Sequence, residues 1–197
     1  LPPAVRARYD VSPLRWLMAV AAPLPTELAR RVEEHFGKVL YNMYGATEFG
    51  LVTVAKPGEH TARPGTVGRV IPGNEVRLID EEGHDVTGVG VGEIYVKSSM
   101  RMTGYHGNAE ATRKIEREGF LSVGDLGRFD ADGFLYLVDR KIDMIISGGV
   151  NIYPLEIEQC LHAHPAVLEC AVVGVPDPDW GERLEAFVVL RPGAEAG

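Results

Sequence analysis

The stretch "LRWLMAVAAPLPTELARRVEEHFGKVLYNMYGATE", Leu14–Glu48, decides the architecture. Its first part, "LRWLMAVAA", is continuous and apolar, the pattern of a strand buried on both faces. "PLPTELARRVEEHFG" then reads as a helix: Thr26 is the candidate N-cap, Leu28, Val32 and Phe36 line one face, and Gly37 supplies the stop. "KVLYNMYG" returns as a strand. Strand, helix and strand with short connections predict a parallel α/β unit. Ligands in such sheets sit beyond the carboxyl ends of strands, which is where Tyr44–Glu48 falls.

Outward from this unit the texture changes. Between Arg63 and Asp139, "RLID", "GEIYVKS" and "GFLYLVDR" are short alternating strands punctuated by "PGTVG", "IPGN", "EEGHD" and "DADG". That spacing predicts an antiparallel sheet or small barrel. One surface helix interrupts it, with Asn108 capping "AEATRKIERE" and Gly119 ending it. Beyond Asp139, "DMIIS", a Gly-Gly turn and "VNIY" read as a hairpin. Pro154 starts the helix "PLEIEQCLHAH", and "LECAVVGV" and "EAFVVL" follow as strands. The predicted fold is therefore α/β over 1–62, an antiparallel barrel over 63–139 and an α+β segment over 140–197.

Composition narrows the function. The 197 residues carry 20 Lys and Arg against 28 Asp and Glu, a net charge of −8, which argues against nucleic-acid binding. No apolar run reaches the roughly 18 residues of a membrane span. Cys160 and Cys170 are the only cysteines, too few for a disulfide framework or a zinc cage. A reduced cytoplasmic protein is the expectation. The chain opens on Leu1 rather than methionine and closes on "RPGAEAG", as expected of a piece of something longer.

Three motifs carry chemistry. In "YGATE", Tyr44 stacks on a base or fills the core; Gly45 and Ala46 leave room for a ligand; Thr47 caps a helix or donates to phosphate. Glu48 is a carboxylate in the first turn of that helix or a hard oxygen for Mg²⁺. In "SVGDLGRFDADGFLYLVDR", Asp125 offers two acceptors to a cis-diol beside Gly124, and Arg140 is a fixed cation; a turn Asp and a surface Arg explain the pair equally. In "KIDMIISGGVNIYPLEIE", Ser147, Gly148 and Gly149 form a turn that no side chain obstructs, open to a thin ligand. "GVGVGEIYV" leads into a strand, so it is no dinucleotide loop. His162 and His164 diverge by about 200° around a helix and cannot chelate one ion. No other His, Cys or carboxylate cluster has metal-cage spacing.

In this order, "YGATE", "GEIYV…GY…T", "GDLGRFDADGFLYLVDR" and "DMIISGGVNIYPLEIE" resemble the adenylate-forming superfamily, most closely its acyl-CoA synthetases. The resemblance covers nearly the whole chain. It implies a carboxylic acid activated with Mg·ATP to an acyl-adenylate, then passed to coenzyme A. By similarity Tyr44 lies against adenine, Thr47 contacts phosphate and Glu48 helps hold Mg²⁺. Asp125 and Arg140 bind the ribose, Ala21, Ala22 and Gly45 line the acyl pocket, and Gly148 and Gly149 flank the pantetheine tunnel. Lys141 and Ile142 sit at the hinge between the large domain, 1–139, and a small mobile domain, 140–197.

The departures are specific. Val123 stands where threonine is common, and Ile142 where Asp or Lys is usual. The family's phosphate loop with its lysine, and its later catalytic lysine, are expected upstream and downstream of this chain. The piece alone is therefore expected to be inactive. A domain loading a carrier-protein thiol, and a noncatalytic nucleotide-binding module, are the alternatives.

Overall fold

The computed structural model describes residues 3–194; the last three residues of "RPGAEAG", and Leu1, lie outside them. Along the chain run α1 (Pro3–Arg6), β1 (Leu17–Ala19), α2 (Thr26–Phe36), β2 (Leu40–Ala46), β3 (Gly50–Ala55), α3 (Glu59–Ala62) and β4 (Thr66–Val70). Next come β5 (Asn74–Ile79), β6 (Gly92–Ser98), α4 (Ala109–Ile115), β7 (Glu116–Arg117), β8 (Phe120–Leu121), β9 (Asp125–Phe129) and β10 (Leu135–Arg140). β11 (Ile145–Ser147), β12 (Val150–Ile152), α5 (Pro154–His162), β13 (Val167–Asp177) and β14 (Gly181–Leu190) complete the order. The chain divides into two compact units, Leu1–Val76 with Tyr95–Leu121 and Phe129–Tyr136, and Arg77–Ile94 with Ser122–Arg128 and Leu137–Gly197.

In the first unit β1 pairs parallel to β2, Leu17 opposite Leu40, as the strand–helix–strand reading requires. β2 and β3 form an antiparallel hairpin with a bulge between Tyr44 and Gly45, and β3 continues to β4 with Thr53 opposite Val70. Phe49 in the hairpin turn and Val52, Thr53, Ala55 and Thr66 on the strands are fully buried. The hydroxyls stay satisfied, because Thr53 Oγ1 donates to the Val67 carbonyl at 2.7 Å and Thr66 Oγ1 to that of Leu135 at 2.9 Å. Gly68 is demanded by this packing: a Cβ there would stand 1.9 Å from the Val54 carbonyl carbon.

Three sequence expectations change here. β1 is not buried, with Trp16, Met18 and Val20 at 59, 53 and 54 % exposure, because among the described residues it is an end strand paired to β2. Thr26 is not the cap of α2. Pro25, extended at φ −61° and ψ 132°, holds that place, and its carbonyl accepts from Ala29 N at 3.0 Å. α4 stops at Ile115, so Gly119 does not end it. Glu116–Arg117 pair with Phe120–Leu121 instead, and Glu118 and Gly119 at φ 52° and 82° form the two-residue turn.

In the second unit Glu93 of β6 lies opposite Leu126 of β9. A separate sheet has the order β12-β11-β14-β13, with α5 packed on β13. The Gly-Gly hairpin is as read: Ser147 faces Val150, and Gly148 and Gly149 take φ 58° and 80°. The strands expected to close a barrel over 63–139 form open antiparallel ladders, with no closed barrel among the described residues.

Candidate functional site

The end of β2 carries the opening motif into a turn at Thr47–Phe49 that returns as β3. Tyr44 is 6 % exposed, its ring 6.4 Å from that of Phe49 and tilted by 56°. In this unit it is first a core aromatic. Gly45 answers a backbone demand, since a Cβ there would lie 2.4 Å from the Gly50 carbonyl oxygen across the bulge. Thr47 is exposed on the turn and caps no helix.

Glu48 is held from two sides. Its carbonyl accepts from Met102 N at 2.8 Å, and its Oε1 accepts from the Tyr105 hydroxyl at 2.8 Å. That bond, with burial and the nearby Glu48 charge, pushes the Tyr105 hydroxyl above its usual pKa. Glu48 Oε2 is not part of that bond. A single protein carboxylate suits Mg²⁺, which keeps several waters and takes its remaining ligands from phosphates. The residues present therefore fit that ion.

Ala21 and Ala22 follow β1 in an irregular loop. Ala21 takes φ 72°, a left-handed conformation that costs a non-glycine residue about 1 kcal/mol. The loop is tied down by His60, which is 5 % exposed, with Nε2 at 2.9 Å from the Leu24 carbonyl and Nδ1 at 2.8 Å from that of Thr66. Asn42, two residues ahead of Tyr44, adds a 3.0 Å bond to the same Thr66 oxygen.

The second unit holds the other candidates. Asp125 opens β9, and Arg140 ends β10 with Nε at 3.3 Å from Asp125 Oδ1. A Cβ on Gly124, at φ +83°, would meet nothing within 4 Å beyond its chain neighbours. Lys141 donates its backbone N–H to the Gly124 carbonyl at 2.8 Å and reaches Glu93 Oε2 at 3.1 Å with Nζ. Ile142 is 88 % exposed. Beside Lys141 lies a cleft of about 220 Å³ lined by Ile79, Glu93, Met144 and Tyr153 among others. Burial, Glu81 and Asp139 push the Tyr153 hydroxyl up.

At the Gly-Gly turn the expectation of an unobstructed backbone holds on one side. Gly149 has open space where a Cβ would be, whereas a Cβ on Gly148 would lie 2.6 Å from the Trp180 ring. Gly148 N also donates to the Trp180 carbonyl at 2.8 Å. One further correction concerns metals. A ligand atom from each of Asp80, Glu82 and His84 lies within 4.8 Å of the others, a spacing the sequence reading did not find. His84 Nδ1 is 3.4 Å from Asp80 Oδ2 and His84 N donates to Asp80 Oδ1 at 2.7 Å, so this reads as a turn held by its own side chains rather than a cage.

Sequence reasoning missed Tyr105, Glu93 and Asp139. Asp139 Oδ2 accepts from Leu155 N at 3.0 Å, in the first turn of α5. Each lies in a motif quoted above, "GY…T", "GEIYV" and "LYLVDR", but its partner is 57, 48 or 16 residues away, so its role was not legible from the motif.

The AMP-binding enzyme family matches residues 2–106, and the AMP-binding enzyme C-terminal domain matches 156–196. A long-chain-fatty-acid–CoA ligase of Bacillus subtilis (strain 168) is 40 % identical over 189 residues, 95 % of this chain and 34 % of its own length. A feruloyl-CoA synthase of an Amycolatopsis species is 41 % identical over 186 residues, 94 % of this chain and 38 % of its own.

Among solved structures, the amide bond synthetase McbA from Marinactinospora thermotolerans superposes with TM-score 0.91 at 39 % identity, over 100 % of this chain and 40 % of that one. The o-succinylbenzoate CoA synthetase MenE from Bacillus subtilis, in complex with ATP and magnesium ion, gives 0.83 at 34 %, over 93 % of this chain and 38 % of that one. The chain belongs to the AMP-binding enzyme family. It spans between a third and two fifths of the length of these relatives.

Proposed function

We propose that the whole protein containing this chain is an AMP-forming acid–thiol ligase, an acyl-CoA synthetase acting in the cytoplasm. The boundary between its large and small domains falls at 139/140. An acid carboxylate oxygen attacks the α-phosphorus of ATP and pyrophosphate leaves. The thiol sulfur of coenzyme A then attacks the acyl carbon and AMP leaves. Displacement at phosphorus asks the protein mainly for positioning and charge neutralisation.

In this reading Asp125 accepts the ribose hydroxyls, with Arg140 at the same sugar. Tyr44, Gly45 and Ala46 shape the adenine side. Thr47 donates to phosphate, Ala21, Ala22 and Gly45 face the acyl group, and Ser147, Gly148 and Gly149 guide pantetheine. Lys141 and Ile142 act as the hinge. Glu48 would hold Mg²⁺, whose charge when bound offsets that of the phosphates.

The observation that carries the proposal is Asp125, a carboxylate with its side chain at 12 % exposure, beside Gly124 and a guanidinium at 3.3 Å. A second reading replaces the thiol acceptor by an amine; the superposition on an amide bond synthetase over 100 % of the chain supports it. The experiment supplies the whole protein with ATP, a panel of acids and, in turn, coenzyme A, a carrier-protein thiol and an amine. Acyl-CoA as product bears out the proposal. Amide or acyl-carrier alone replaces it, and no acid-dependent use of ATP supports the noncatalytic alternative. The same assay on the 197-residue chain is expected to give no acyl-CoA.

A further inference from the structure

We infer that Tyr105 is a positioning residue that fixes the orientation of the Glu48 carboxylate for the metal–nucleotide complex; this rests on the reading of Glu48 as the Mg²⁺ ligand. The geometry is that of a built support. Glu48 sits in a turn with no secondary structure to fix its rotamer. One oxygen is claimed by the Tyr105 hydroxyl at 2.8 Å, which leaves the other outside that bond.

The segment bearing Tyr105 is itself anchored around that bond. Met102 N grips the Glu48 carbonyl at 2.8 Å, so both the main chain and the side chain of Glu48 are held by this one segment. Tyr105 N donates to Thr112 Oγ1 at 2.9 Å, and Thr112 Oγ1 in turn donates to the Asn108 carbonyl at 3.1 Å. Asn108 caps α4 by accepting from Ala111 N at 3.0 Å. Gly104, at φ +146°, lets the chain turn tightly against Thr112, where a Cβ would stand 3.0 Å from Oγ1.

A neutral hydroxyl donating to one oxygen orients the carboxylate without competing for the cation. Tyr105 is 37 % exposed, so its ring is not spent on filling a core. An aromatic there would pack without the hydroxyl; the hydroxyl is what reaches Glu48.

The test uses the whole protein and Mn²⁺ as the probe, following its binding with ATP by electron paramagnetic resonance, with AMP binding without metal measured by calorimetry. Tyr105→Phe is expected to weaken Mn²⁺·ATP binding about tenfold, the scale of a lost outer-shell partner, and to leave metal-free AMP binding unchanged. Thr112→Val, which frees the segment at a distance, is expected to give a smaller loss in the same direction. Thermal melts of each variant report folding separately. If Glu48→Gln weakens Mn²⁺·ATP binding while Tyr105→Phe and Thr112→Val do not, Tyr105 has no positioning role although Glu48 keeps its own. If Glu48→Gln binds Mn²⁺·ATP as the wild type does, the reading of Glu48 fails and this inference with it.

Discussion

Arg140 Nε stands 3.3 Å from Asp125 Oδ1, the arginine side chain 67 % exposed and the carboxylate 12 %. The asymmetry defines how the pair can work. The acid is set at the start of the strand, while the long cation reaches it from the surface.

Asp125→Asn is therefore expected to cost AMP affinity about tenfold or more in the whole protein, since hydrogen bonds to a charged acceptor are each worth about 1.5–3 kcal/mol. Arg140→Lys keeps the charge and loses the planar fork, and a few-fold loss is expected. Calorimetric titration with AMP reads both. Undiminished binding by Asp125→Asn would remove that residue from the nucleotide site.

Gly45→Ala separates fold from ligand. The added methyl would lie 2.4 Å from the Gly50 carbonyl oxygen, so the hairpin must shift whether or not a ligand is present. A loss of about 1–3 kcal/mol in urea denaturation is expected, typical of overpacking. Wild-type stability with impaired acid binding would mean that the glycine serves the ligand alone.

How far this was legible beforehand differs by element. The parallel strand–helix–strand, the Gly-Gly hairpin and the Asn108 cap announce themselves within a few residues, through periodicity and turn chemistry. The exposure of Met18 was not legible, because an apolar run reads the same at a sheet's end as at its centre. Nor was the division of roles at Gly45, where the obstacle is a carbonyl on the next strand. Tyr105 shows the limit most plainly: its partner Glu48 is 57 residues away, and only the fold brings them within 2.8 Å.

Gly148 and Trp180 should be energetically coupled. Gly148→Ala places a Cβ 2.6 Å from the indole at a φ of +58°. Removing the ring with Trp180→Ala leaves the backbone strain, about 1 kcal/mol, but relieves the clash. The double variant is thus expected to be less destabilised than the sum of the singles, by about 0.5–3 kcal/mol in a denaturation cycle. Strict additivity would show that the ring does not rest there.

Acid sensitivity of the first unit should trace in part to Asp130. Burial raises its pKa, but this is outweighed by hydrogen bonds from Phe134 N–H, the Tyr136 hydroxyl and Asp132 N–H, and by the charge of Arg63, so the folded value lies below the ordinary one. A lowered folded pKa contributes stability that is complete above the unfolded value, near about pH 4, and is lost as pH falls through the folded value. Asp130→Asn should flatten the pH dependence of unfolding in that window while lowering stability near neutrality. Unfolding curves recorded across the window would show an unchanged slope if Asp130 contributed nothing.

Acid-dependent ATP–pyrophosphate exchange measures acyl-adenylate formation without the acceptor. For the whole protein we expect exchange that requires a carboxylic acid and falls about 100-fold or more in Glu48→Gln at an unchanged melting temperature. Exchange by Glu48→Gln at the wild-type rate would take Glu48 out of the chemistry, and none from the wild type with any acid in a broad panel would rule out acyl-adenylate formation.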